Sequence, residues 1–342
     1  MEKIGYAVLG CGFIGKLHAE VISRLPNGYL AAVCEKNKAV AEEWGLRYGC
    51  RAYSSYEELF QDEHVDAVAV CLPSGMHCEA VIACAKQKKH VICEKPIDIS
   101  VENARKMVDI CKENGVTFGV IFQHRFDPAI LALQQVIDEG KMGRLLWGAS
   151  RTIWYRDEKY FANPWRGTWQ YDGGGALINQ SIHYIDLLLK FFGRVKSVSG
   201  KCRTLLHHEI EAEDVGIANL EFANGCLGTV EGSTVCYPGL YAELCLFGEK
   251  GSAIVRNDHL LFYQLESGKC AELDAVVNVE KANAQHLTAD ISDDSHYRQY
   301  EDFTNALLES RRPAVTGEDA LHGLTVIRSI YSSSDRKKEI FL

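Results

Sequence analysis

The sequence predicts an α/β chain in two parts: a doubly wound parallel sheet over residues 1–122, then an α/β domain with an open, mostly antiparallel sheet over 123–342. Three observations carry this. The first third alternates short, wholly apolar runs with helical patterns, as strands buried on both faces between helices do. After about residue 123 the apolar runs lengthen and alternate with period two, as strands with one covered face do. The length of 342 residues exceeds one ordinary core.

Taken in order, Ile4 to Leu9 reads as a strand running into Gly10-Cys11-Gly12-Phe13-Ile14-Gly15, which opens a helix reaching Arg24. Tyr29 to Cys34 is a second strand and Lys38 to Tyr48 a helix. Ser55 and Glu58 have the spacing of a capping box. Ala67 to Leu72 is an apolar strand, Glu79 to Lys86 is helical, and His90 to Cys93 is a strand. Ser100 caps a helix to Asn114, and Val116 to Phe122 is the last strand of the first part. In the second part strands are expected at 145–155, 195–205, 215–222, 226–236, 241–247, 252–255 and 260–265, with glycine turns at Asn224-Gly225 and Glu249-Lys250-Gly251. Helical patterns cover 176–192, 297–310 and 318–332. Residues 266–294 are polar and weakly patterned, which reads as a surface excursion.

Composition is that of a soluble globular chain, 47% hydrophobic and 24% charged. The net charge of −9 argues against nucleic acid or an anionic membrane as partner, yet leaves room for a local basic pocket. None of the 13 cysteines forms a Cys-x-x-Cys pair, and Cys34, Cys71, Cys84, Cys93 and Cys111 sit in apolar runs. Free thiols in a reducing cytoplasm are expected, with no disulfide framework and no metal site. Val8-Leu9-Gly10-Cys11 has the outline of a lipoprotein cleavage site, but the apolar stretch before it is short and Lys3 is its sole positive charge, so no signal peptide is read there. No run reaches the ~18 apolar residues of a membrane span.

The glycine run follows a strand, opens a helix, and has Glu35 20 positions after Gly15. That context is the dinucleotide fingerprint of a Rossmann-type fold. Gly10 allows the tight turn, Gly12 lets the backbone approach a pyrophosphate, and Gly15 permits close helix–strand packing; Phe13 and Ile14 lie between, at the helix N-terminus where the pyrophosphate rests. Glu35 ends the second strand and is placed to accept from ribose hydroxyls. Its charge repels a 2′-phosphate, favouring NAD over NADP, while neighbouring Lys36 pulls the other way. Leu72-Pro73-Ser74-Gly75-Met76-His77 closes a strand at the carboxyl edge, where ligands of such sheets bind. Pro73 stiffens that turn and Ser74 offers a hydroxyl. His77 reads first as a cap for the following helix.

Glu94-Lys95-Pro96 ends the run Val91-Ile92-Cys93. A lysine at that edge, held extended by the following proline, can hold and deprotonate a substrate hydroxyl while hydride leaves the same carbon. In isolation it reads as a solvated lysine. The second element is Gly173-Gly174-Gly175, leading into a helix on which Asn179, His183 and Asp186 share a face beside the apolar stripe Ile178, Ile182, Ile185 and Leu189. A lone histidine is usually a satisfied structural group. Here the glycines and polar neighbours favour a proton-transfer site.

GCGFIG, CLPSGMH, EKP at 94–96, QHRF at 123–126, GGGALINQSIHYIDLL at 173–188 and YEDFTNALLESRRPAVTGEDAL at 300–321 together resemble the Gfo/Idh/MocA family, over essentially the whole chain. The resemblance implies a dinucleotide domain followed by a domain whose open sheet often forms an oligomer interface, and oxidation of sugar or cyclitol hydroxyls. It implies Lys95 and His183 as catalytic residues. It sets Glu94, Gln123, Trp165 and Arg166 beside the cofactor, and Lys95, Arg125, Tyr155, Asn179 and His183 at the substrate. Many members carry Asp where this chain has Asn179, and an amide cannot take a proton as a carboxylate can. The segment PWRGTWQYDGGGALINQSIHYID is also similar to the branch that oxidises UDP-N-acetylglucosaminuronate at C3. Arg125, Arg156, Lys159 and Arg166 are candidate contacts for an anionic substrate, and exposed ion pairs explain such residues equally well.

The expected activity is NAD-dependent oxidation of a CH–OH group in a sugar, sugar nucleotide or cyclitol, by a cytoplasmic homodimer or homotetramer. Ile153, Val215, Ile217 and Val230 are expected among the apolar residues of its interface face. The alternatives are an NAD-dependent glycosidase of the same fold, which oxidises, eliminates and reduces back, and a non-catalytic nucleotide-sensing protein. Glu35 predicts that NAD binds more tightly than NADP. Calorimetric titration of both is the check, and tighter NADP binding would transfer the role to Lys36.

Overall fold

The computed structural model describes residues 3–284 and 293–342. The apolar runs of the first part form six parallel strands: β1 (Ile4–Leu9), β2 (Gly28–Cys34), β3 (Arg51–Tyr53), β4 (Ala67–Val70), β5 (His90–Cys93) and β6 (Phe118–Val120), in the order β3-β2-β1-β4-β5-β6. β4 is Ala-Val-Ala-Val and wholly buried, as a strand covered on both faces must be. Its neighbour β1 leads to the glycine turn, and β4 itself to Cys71-Leu72-Pro73. Strand order reverses between these two, which is where such sheets bind ligands.

Helices Phe13–Ile22, Lys38–Tyr48, Tyr56–Phe60, His77–Lys86 and Val101–Glu113 connect the strands. Ser55 accepts from the Glu58 amide at 3.2 Å and Ser100 from the Asn103 amide at 3.4 Å, so both expected caps form. The Glu58 carboxylate accepts from the Ser54 amide, one residue before the cap. β3 is three residues long, too short to leave a periodic signal. The strand expected at 116–122 is confined to Phe118–Val120, because Gln299 takes over its end: Oε1 accepts from the Phe122 amide at 3.1 Å and Nε2 donates to the Val120 carbonyl at 2.8 Å.

The chain divides into two compact units, though not at one cut. The first ends at Gln123 and regains the chain from helix Asp293–Leu308 to Leu321; the second starts at His124 and takes the C-terminal His322–Leu342. A single boundary at 122/123 therefore misplaces that helix. Its Tyr300 and Phe303, 0% and 1% exposed, pack with Tyr6, Ile22, Trp44 and Ile92 in the core of the first unit. Strand type changes at 123, and that change is what the sequence shows. A returning helix carries no mark of which core it joins.

The second unit holds an eight-stranded sheet of β7 (Leu145–Ile153), β8 (Val195–Arg203), β9 (Val215–Phe222), β10 (Leu227–Ser233), β11 (Tyr241–Gly248), β12 (Gly251–Arg256), β13 (His259–Leu265) and β14 (Ile340–Phe341), ordered β13-β12-β11-β7-β10-β9-β8-β14. Neighbours are antiparallel except β7 and β10, which run parallel. Glycines on one face admit the helical segment 176–192 closely. A Cβ at Gly148 would sit 2.4 Å from the Phe192 ring, and one at Gly216 2.6 Å from Leu177. Val230 lies on this covered face and is fully buried, so it cannot belong to the expected interface. The opposite face presents Trp147 stacked on Phe247 at 4.7 Å, with Leu227 and Ile217 exposed and Arg151 paired to Glu231 and Glu243.

The expected surface excursion at 266–294 is partly wrong. Short helices Ala271–Asp274 and Val279–Asn283 bury Leu273 and Ala282 completely, while 285–292 lie outside the described residues. Isolated apolar anchors in a polar stretch give no periodicity to read. All 13 cysteines are free thiols. Among the described residues no helix is long and apolar enough to cross a membrane.

Candidate cofactor and catalytic site

The glycine turn fits a dinucleotide for reasons internal to the chain. Gly10 has φ +101°, and a Cβ at Gly15 would meet the Gly10 carbonyl oxygen at 2.0 Å, so both glycines are demanded by the fold. Gly12 is different: a Cβ there would meet nothing within 4 Å, and no side chain caps the helix that follows. That opening and the uncapped amides suit a pyrophosphate. Phe13 is 83% exposed beside it, and Ile14 packs against the core. Glu35 turns back toward the turn, accepting from the Cys11 amide at 3.2 Å and the Asn37 amide at 3.1 Å, whereas Lys36 is exposed. Burial and the Glu35 charge push the Cys11 thiol up to about 12, which leaves it inert within the turn.

Lys95 stands on a buried electrostatic platform. Glu94 is 7% exposed; one oxygen accepts from His18 Nε2 at 2.8 Å and the other from the Lys95 amide at 3.0 Å. His18 Nδ1 lies 2.5 Å from the Tyr300 hydroxyl. Burial alone would raise the Glu94 carboxyl, but the His18 hydrogen bond and charge outweigh it and hold the group near 2. Glu94 thus holds the Lys95 backbone, with both carboxylate oxygens already accepting from protein donors. His77 differs from the expected helix cap. It is fully buried, with Nε2 2.8 Å from the Leu72 carbonyl and Nδ1 3.0 Å from the Pro96 carbonyl. It ties the Leu72-Pro73-Ser74 turn to the lysine loop, its side chain does not cap the helix that follows, and both ring nitrogens face backbone carbonyls. Ser74 is buried, Leu72 and Pro73 half-buried, and the Oε1 of Gln123 is buried with no partner among the described residues.

In the second unit the glycine-rich lead-in wraps a carboxylate. Glu213 accepts from the Gly175 amide at 2.9 Å, the Leu177 amide at 2.8 Å and the Tyr331 hydroxyl at 2.9 Å. Burial pushes its carboxyl up to about 7 against these donors. The expected single helix begins as a π-helical turn, Ala176–Ser181, and continues as α-helix Ile182–Phe192. Its three polar residues take separate partners. Asn179 Nδ2 donates to Asp172 Oδ1 at 2.5 Å, and Asp186 receives a two-pronged bond from Arg125 at 2.6 and 2.7 Å. The His183 ring meets that of His124 edge-on, with centroids 4.9 Å apart. Arg125 therefore spends its Nε and one Nη on a buried carboxylate.

Arg156 and Arg166 behave otherwise. Their guanidinium groups stack over the Tyr160 ring at 5.3 and 4.1 Å, and the Tyr160 hydroxyl accepts from Arg166 and from Gln180 Nε2. Arg156 also donates to Gln180 Oε1 at 2.9 Å, and Arg166 stacks on Trp165. Among the described residues neither arginine is ion-paired. Lys159 is exposed, and the Tyr155 ring packs edge-on against Tyr237. Sequence reasoning missed Tyr160, His18, Tyr300 and the grouping of His124 with Asp127 and Asp258. Of these, His124 and Tyr300 sit in segments whose pattern the sequence shows, QHRF and YEDFT, and neither segment reveals the partner. Two groups bring histidine and carboxylate side chains together, His18-Glu94-His296 and His124-Asp127-Asp258, and in them His18 Nε2 and His124 Nδ1 are hydrogen-bonded to the carboxylates.

A model of the GFO/IDH/MocA oxidoreductase family, with an NAD-binding Rossmann fold, matches residues 4–122, and a GFO/IDH/MocA C-terminal domain model matches 130–254. The WlbA dehydrogenase from Bordetella pertussis, solved in complex with NADH and UDP-GlcNAcA, superposes with a TM-score of 0.90 at 30% identity, covering 100% of this chain and 98% of that one. Myo-inositol 2-dehydrogenase of Thermotoga maritima is 28% identical over 98% of this chain and 97% of its own length. The 2,7-anhydro-N-acetylneuraminate hydratase of Escherichia coli is 31% identical over 73% of this chain and 66% of its own length.

The Glu94 platform generates a pH prediction. A carboxyl held at about 2 when folded, against an ordinary value of 4.5, stabilises the fold above the ordinary range and loses that contribution as pH falls through it. The difference corresponds to about 3 kcal/mol. Urea unfolding of Glu94→Gln should show an acid-side loss of stability smaller than wild type by a large part of that amount. Equal pH dependence in the two proteins would mean that Glu94 is not held ionised by His18.

Proposed function

We propose, from the premise that this chain belongs to the GFO/IDH/MocA oxidoreductase family, that it oxidises a CH–OH group of an anionic sugar derivative, a sugar acid or nucleotide sugar, with NAD as hydride acceptor. The Arg156–Tyr160–Arg166 cluster carries the substrate class. Two guanidinium groups held on one phenol without a carboxylate keep a positive charge that a carboxylate or diphosphate satisfies bidentately. The likeness to a WlbA dehydrogenase solved with UDP-GlcNAcA supports the same class.

NAD held at the turn of Gly10, Gly12 and Gly15 would supply the hydride acceptor. Lys95, its backbone fixed by Glu94, takes the hydroxyl proton in its neutral form, and His183 serves as the second proton-handling group. Asn179 orients without relaying, since its amide is committed to Asp172. The redox-neutral reading has an observation of its own, the 31% identity to a hydratase, an activity that releases no reduced cofactor. The free thiols support a cytoplasmic setting. The open sheet face bearing Trp147, Phe247, Leu227 and Ile217 supports a homodimer or homotetramer packed through it.

A screen following NADH formation, with sugar acids, nucleotide sugars and neutral inositols, tests the reading. Turnover is expected with the anionic compounds, and Arg166→Ala should raise KM for them. Lys95→Ala should lower turnover about 10²–10⁴-fold while calorimetric NAD binding is kept. Turnover of neutral inositols alone would overturn the substrate class, and substrate consumption without net NADH would favour the hydratase-like reading. Sedimentation at micromolar concentration should show a dimer or larger, and a wild-type monomer would contradict the interface.

A further inference from the structure

Three elements of the second unit meet at His124. The turn Gln123–Phe126 carries the histidine and leads to Asp127, the residue before helix Pro128–Asp138. Asp127 makes no side-chain cap to that helix; its Oδ2 lies 2.8 Å from His124 Nδ1. The two-residue turn Asn257-Asp258, between β12 and β13, brings Asp258 Oδ1 to 3.0 Å from the same nitrogen. That turn is built to hold one place. Both residues have left-handed φ, 49° and 67°, and Asn257 is 3% exposed. Asn257 donates to the Ala282 and Ala284 carbonyls and accepts from the Ala242 amide, each at 3.0–3.1 Å. Helix Ile182–Phe192 supplies the third side: the Tyr184 hydroxyl donates to Asp258 Oδ1 at 3.0 Å, and His183 lies edge-on against the His124 ring.

We propose that His124, clamped between Asp127 and Asp258, is a positioning residue that fixes the His183 ring and keeps it uncharged until a proton is delivered. This rests on the reading of His183 as a proton-handling group. Among the described residues of this unit, the charged and titratable groups that face His124 include Asp127 from its own turn, Asp258 from the hairpin, and His183 and Tyr184 from the helix, while Arg125, next in sequence, pairs with Asp186. Burial would lower the His124 basicity, but the two carboxylates outweigh it and hold the imidazole protonated. A second positive charge on the adjacent ring is then opposed at short range. The carboxylates behind His124 limit that cost, so His183 can still be protonated during turnover.

Histidine NMR titration of the NAD-loaded chain, with His183→Asn to assign the resonance, reads the coupling directly. His124→Gln keeps a donor for the two carboxylates but carries no charge, and the His183 midpoint should rise by about one pH unit. Asp258→Asn trims one anion while Asp127 still holds His124, and the midpoint should fall. Opposite shifts are the signature, since loss of a merely structural contact has no reason to reverse sign between the two variants. A midpoint unmoved in His124→Gln, or moved in the same direction by both, overturns the proposal. Turnover by His183→Asn tests the underlying reading separately: if it matches wild type, His183 handles no proton, whatever the titration shows.

Discussion

A buried charge that must be compensated organises the first unit. Glu94 ends an interior strand with almost no access to water, and an unpaired carboxylate there would cost several kcal/mol. Its partners come from distant stretches: the adjoining Lys95 amide, His18 from the helix after the glycine turn, and through His18 the hydroxyl of Tyr300. Tyr300 arrives on the returning helix, whose Thr304 hydroxyl lies 2.8 Å from that of Tyr6. One carboxylate therefore joins the cofactor turn, the lysine loop and the closing helix. Shifting any of them leaves another polar group buried and unpaired.

The second unit repeats the device with different groups. Glu213 fills the cradle made by Gly175 and Leu177, where a Cβ on Gly175 would fall 1.8 Å from the Glu213 carbonyl oxygen. Asp186 and Arg125 lock the same helical segment further on. His183 sits between these two fixed points, so the stretch of chain that carries it is held by buried pairs. Against that background the unpaired arginines on Tyr160 stand out. The unit satisfies Arg125, Arg151 and Arg256 with carboxylates, and leaves Arg156 and Arg166 to a phenol.

What was legible in the sequence follows from locality. Strands such as Ala67–Val70 and His90–Cys93 announce themselves by apolar runs, and Ser55 and Ser100 by their spacing to the next turn, because each signal lies within a few residues. Gly10 and Gly15 were readable because the turn that needs them is contiguous with its strand and helix. The return of the 293–308 helix, the burial of His77 and the pairing of Arg125 with Asp186 depend on partners 19 to 282 residues away. No periodicity encodes those. Val230 was misassigned for a smaller reason: alternation shows that β10 has two faces, and only packing shows which one the helix covers.

Asn179 shows how a local departure acquires a cause once its neighbours are known. Read alone, an amide in place of a carboxylate looks like a lost proton acceptor. In the structure its Nδ2 donates to Asp172, whose other oxygen accepts from the Gly167 amide at 2.8 Å, and Asp172 is 3% exposed. A carboxylate at 179 would set two acceptors about one hydrogen bond apart in a buried place, and one of them would have to hold a proton to remain there. The amide removes that conflict by supplying a donor. The negative charge then belongs to Asp172, beneath the glycine-rich lead-in, and the helix keeps a neutral side chain at 179. If the proposed substrate is an anion, a neutral residue at that position removes a repulsion that a second carboxylate would impose.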